Sequence, residues 1–99
     1  MGALSGTALR FTAASDAKTG GAGSNAILHT ITINTAGTST TGSSTFKVYS
    51  GQSSNGTLLA QFDLMSTVLP NTFIYDILCP GGVYAVLTGL AADLTVSVL

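Results

Sequence analysis

From Asn25 onward, apolar and polar residues alternate with a period of two, the spacing of strands that bury one face. The clearest case is Ile27-Leu28-His29-Thr30-Ile31-Thr32-Ile33, where alternation puts Ile27, His29, Ile31 and Ile33 on one side and Leu28, Thr30 and Thr32 on the other. Phe46 to Tyr49 and Thr57 to Phe62 read as the next two strands, joined by a hairpin in which Asn55-Gly56 supplies the positive φ of a tight turn. Asp63 to Val68 predicts one helical turn or a crossover, broken by Pro70-Asn71. Three further strands follow over Thr72 to Cys79, Val83 to Thr88 and Leu94 to Leu99, with Cys79-Pro80-Gly81-Gly82 predicting a type II turn between the first two.

Residues 1–24 differ. They are rich in Ala, Gly, Ser and Thr, and hold one alternating piece, Leu9 to Ala13, able to pair as a short strand. The chain therefore reads as an all-β protein: an extended N-terminal arm over 1–24, then a single β-sandwich or jelly-roll domain over 25–99, with six to eight short strands in total. At 99 residues there is room for one core, and no internal repeat is visible.

Charge sharpens this picture. Charged residues make up 7% of the chain, against roughly 25% in ordinary soluble domains, so Ser, Thr, Gly and Asn must supply the polar surface. The three basic residues, Arg10, Lys18 and Lys47, are scattered, which argues against a nucleic-acid partner and against binding to an acidic membrane. No secretory signal or myristoylation pattern is expected at the N-terminus, and the apolar stretch Val83 to Leu99 is interrupted by polar residues and reads as two strands rather than a membrane span. Edge strands normally carry charges that stop sheets from joining. With so few available, the expectation is self-association or docking on a scaffold, with Leu4, Leu9 and Phe11 of the arm as contacts to a neighbour.

Little in the sequence suggests catalysis. Gly21-Ala22-Gly23-Ser24-Asn25-Ala26 has the letters of a dinucleotide fingerprint but leads into a β-branched strand with no acidic residue at the required distance. His29 is the sole imidazole and reads as a packed or interfacial side chain; there is no Glu, and Asp16, Asp63, Asp76 and Asp93 are far apart. Asp76, between Ile74 and Leu78, is expected to be buried with a partner if it points inward. Cys79 lacks an evident activating base and reads as a buried thiol. The expectation is a non-enzyme with no catalytic residue, metal or cofactor.

The strand Leu28 to Gly37, the hairpin Phe46-Lys47-Val48-Tyr49 to Gly56-Thr57-Leu58-Leu59-Ala60, and the ending Gly82 to Thr88 followed by Ala92 to Ser97 resemble the small β-sandwich virion proteins of tailed bacteriophages. That resemblance spans about three quarters of the chain and rests on the order of strands and turns. It implies a capsid decoration or cement protein on the virion surface, assembled in the host cytoplasm, homotrimeric, with the major capsid protein as partner. Two alternatives stand beside it: another virion component of the tail or neck, and a carbohydrate-binding or host-adhesion module. Tyr49, Tyr75 and Tyr84 separate the last from the first, since a sugar-binding platform needs them clustered and exposed, whereas a cement protein would have them dispersed and buried.

Overall fold

The computed structural model describes residues 7–19, 25–35, 44–64, 71–89 and 92–99. They form eight strands and no helix: β1 (Thr7–Phe11), β2 (Ser15–Thr19), β3 (Asn25–Thr35), β4 (Ser44–Ser50), β5 (Thr57–Leu64), β6 (Asn71–Pro80), β7 (Val83–Thr88) and β8 (Asp93–Val98). Two four-stranded antiparallel sheets result, ordered β1-β8-β3-β6 and β2-β7-β4-β5. Each early strand pairs with its late counterpart, β1 with β8, β2 with β7, β3 with β6 and β4 with β5. A long hairpin folded over in this way is a jelly roll, so the expected all-β sandwich is the fold.

The core lies between the sheets. Phe11, Leu28, Ile31, Ile33, Leu94 and Val96 of the first sheet face Phe46, Val48, Leu64, Val83 and Leu87 of the second, all of them at most 2% exposed. Phe11 and Phe46 meet edge to face across the layers, with ring centroids 5.1 Å apart. Cys79 is fully buried in the same core.

Several expectations need correction. Residues 7–19 give an edge strand to each sheet: β1 overlaps the short strand expected within Leu9 to Ala13, whereas β2, over Ser15–Thr19, lies in the part expected as extended arm. Phe11 fills the core at 2% exposure, so it does not reach out to a neighbour; Leu9 is half-buried against that core, and Leu4 lies outside the described residues. The stretch expected as a helical turn or a crossover begins as strand, β5 running through Asp63 and Leu64, and 65–70 lie outside the described residues. The β4–β5 hairpin exists, but its left-handed position is Gly51 (φ 127°) rather than Asn55-Gly56. Gly56 serves a different need, because a Cβ there would lie 1.9 Å from the Ser50 carbonyl oxygen. The turn after β6 is as expected: Gly81 has φ 84° and the Gly82 amide donates to the Cys79 carbonyl at 3.1 Å.

The largest departure is in β3. Ala26 and Leu28 point inward and Ile27 outward, whereas Ile31 and Ile33 point inward. The alternation changes phase at His29-Thr30 because the ladder is out of step there: Leu28 pairs with Ile77 but Thr30 with Ile74, and β3 is likewise irregular against β8. A β-bulge lets one strand put Leu28 and Ile31 on the same face, which strict period-two reading forbids.

Candidate functional site

The two outer faces differ in chemistry. On the first sheet, Ile27 is paired with Leu78 on one side, and it exchanges both backbone hydrogen bonds with Leu99 on the other. These three residues form an exposed aliphatic row across β6, β3 and the end of β8, with Leu78 57% exposed. Ile74, 72% exposed, lies further along β6. Between the row and Ile74 stands a polar pair, His29 Nδ1 and Asp76 Oδ1 at 2.5 Å. Asp76 is thus partnered but exposed, not buried, and His29 is partly exposed rather than packed among isoleucines. The far end of this face is polar: Thr32 and Thr72 hydroxyls lie 3.0 Å apart, and Arg10 donates from Nε and Nη2 to the two carboxylate oxygens of Asp93, at 3.1 and 2.6 Å. Asn34 also donates to Asp93. These hydrogen bonds, Arg10 first and Asn34 second, hold the Asp93 carboxyl below its ordinary value, and the same contact raises Arg10.

The edges are less bare than composition suggests. Of the three basic and four acidic residues, Arg10, Asp16, Lys18, Asp63 and Asp76 lie on the edge strands β1, β2, β5 and β6. On β6 the guard is the bulge itself, where Asp76 takes φ 51° and the strand bends. The few charges are spent at the edges, and the aliphatic row on the face is left open.

The outer face of the second sheet carries a cleft of about 340 Å³ between β2 and the loop 51–56. Asp16, Ala17 and Lys18 line it from β2, Gln52, Ser53 and Ser54 from the loop, and Tyr84 from β7. Three contacts shape it. The Tyr84 hydroxyl donates to Asp16 Oδ2 at 2.8 Å. The Gln52 amide nitrogen donates to the carbonyls of Gly81 (2.7 Å), Thr19 and Gly51, which ties the loop to the turn after β6 and to the end of β2. Tyr49 stands beside Tyr84, ring centroids 6.0 Å apart and tilted by 37°. The bond to Asp16 raises the Tyr84 phenol above its ordinary value, with desolvation adding to it.

The tyrosine criterion therefore gives a divided answer. Tyr49 and Tyr84 are together and half-exposed on one outer face, while Tyr75 packs against the core and is raised by burial. Gln52, Ser53 and Ser54 read in sequence only as a polar loop; nothing local signals that β2 lies beside them. Of the Gly-rich segment, residues 21–24 lie outside the described residues, and Asn25 and Ala26 open β3. Among the described residues no group of three His, Cys, Asp or Glu side chains is placed to hold a metal ion. The chain matches no protein-family model, and comparison with curated proteins and with solved structures finds no match.

Proposed function

We propose that the protein is a structural component of a tailed-phage virion, a capsid decoration (cement) protein that docks on the major capsid protein as a homotrimer. The observation that carries this reading is the row Leu78–Ile27–Leu99, with Ile74 beyond it, on an outer sheet face where the charged Asp76 is paired with His29. Aliphatic side chains aligned across three strands are a surface for contact with protein. Charged edge strands suppress indiscriminate sheet joining, so association through the face is favoured over association through the edges. A jelly roll is used by viral shell proteins among others, which agrees with the resemblance in strand order without deciding function. Weak contacts of this kind become useful when symmetry repeats them over a shell.

The test is co-sedimentation of the full chain with shells assembled from the major capsid protein encoded in the same genome, with molar mass measured in parallel by light scattering. The expected result is stoichiometric binding by a trimer, lost in the Ile27→Ser, Leu78→Ser double variant. Absence of the native chain from the pelleted shells overturns the reading.

A further inference from the structure

On the face opposite the aliphatic row, the cleft at Tyr84 has the composition of a small-ligand site. Its volume of about 340 Å³ sits at the low end of the roughly 300–1,000 Å³ usual for ligand clefts, suited to a single ring. One carboxylate, one ammonium, two hydroxyls, one amide and one aromatic ring line it, and its largest aliphatic side chain is Ala17. An apolar ligand would find little to bury against. An anion would meet one Lys18 offset by Asp16, too little positive charge for a phosphate.

The polar groups are already positioned. Tyr84 engages Asp16 through Oδ2, leaving Oδ1 to accept from a ligand hydroxyl. Gln52 is fixed through its nitrogen by backbone carbonyls, leaving Oε1 as a second acceptor. Lys18, Ser53 and Ser54 supply donors, and Tyr84, flanked by Tyr49, supplies an aromatic surface for C–H contact. Acceptors, donors and an aromatic face around a one-ring space match a neutral polyhydroxylated ring. We propose that this cleft binds a neutral pyranose, such as the terminal sugar of a glycan. The site belongs to the single chain and does not depend on the assembly reading, so either proposal can fail while the other stands.

The experiment is an NMR titration of the isotopically labelled full chain with glucose, galactose, mannose, N-acetylglucosamine and rhamnose, each taken to about 100 mM, since a lone ring in an open cleft is expected to bind with a Kd near 1 mM. The expected result is saturable shifts at Asp16, Lys18, Gln52, Ser53, Ser54 and Tyr84 with at least one sugar. Asp16→Asn should weaken that binding about tenfold or more while leaving the spectrum folded, and Tyr84→Leu should do the same by removing the aromatic face. No saturable shift with any of the five sugars, shifts centred elsewhere, or binding indifferent to both substitutions overturns the proposal.

Discussion

Asp76 meets His29 across the β3–β6 ladder at the position where that ladder is out of step, and does so with a left-handed backbone (φ 51°). Asp is one of the few residues with a side chain that adopts this conformation readily, whereas others lose roughly 1–2 kcal/mol. The bulge therefore depends on the identity of Asp76 in two ways, through φ and through the contact to His29. Replacing it by Ala or by Gly removes the contact equally, but only Gly relieves φ. Urea unfolding should find Asp76→Gly more stable than Asp76→Ala by about 1 kcal/mol, in spite of glycine's greater chain entropy. Equal stability would mean that the bulge relaxes without Asp76.

Tyr84 makes a separate prediction, readable by ultraviolet absorbance. Its phenol is held above the ordinary 10.0 chiefly by donating to Asp16. The folded chain thus keeps a proton that the unfolded chain releases, so this contribution to stability is present below the ordinary value and lost as pH rises through the folded one. Alkaline titration should show two tyrosines, Tyr75 and Tyr84, ionising later than an exposed phenol, and Asp16→Asn should shift the Tyr84 transition alone down. No change in the variant would detach the phenol from Asp16.

At the other end of the pH scale the pair to test is Arg10 and Asp93, which ties β1 to the start of β8. Asp93 is held below the ordinary 3.8, first by Arg10 and then by Asn34. Its stabilising effect is complete above the unfolded value and disappears as pH falls through the folded one, so the window lies in acid, below about pH 4. Chemical denaturation from about pH 2 to pH 6 should show a shallower acid limb for Arg10→Gln than for the native chain. Parallel curves would show that the pair contributes nothing measurable.

Which parts of this were legible in the sequence follows from how far each signal reaches. The strands Val83–Thr88 and Asp93–Val98 were readable because their alternation and flanking turns are local. β2 was not: Ser15-Asp16-Ala17-Lys18-Thr19 has one apolar residue, and it is a strand because β7 offers it an unpaired edge 68 residues away, as the Tyr84–Asp16 bond records. The phase change in β3 was hidden for the same reason, since the bulge is set by Asp76, 47 residues beyond His29. The cleft combines both difficulties: Gln52, Ser53 and Ser54 approach Asp16 and Lys18 only after the long hairpin has folded over. The aliphatic row was equally out of view, because Leu99 and Leu78 join Ile27 only through pairing with both neighbours of β3.

The place of Phe11 gives the sharpest separation between an arm and a strand. Were residues 7–11 an arm, truncating Phe11 would weaken contact with a partner and leave the single chain as stable as before. Phe11 is instead 2% exposed and packs edge to face on Phe46, the central aromatic of the opposite sheet. Phe11→Ala is therefore expected to cost about 3–5 kcal/mol of folding stability, the range for removing a buried aromatic ring, a large share of what a domain of this size has. Thr7 to Phe11 also cover the edge of β8, so a chain beginning at Ser24 would lose both edge strands β1 and β2 and expose β8 and β7 to pairing with other copies. Thermal unfolding monitored by circular dichroism, with light scattering alongside, should show early unfolding for Phe11→Ala and aggregation for the truncated chain. A truncated chain that stays soluble with the native melting temperature would show that 25–99 folds without β1 and β2.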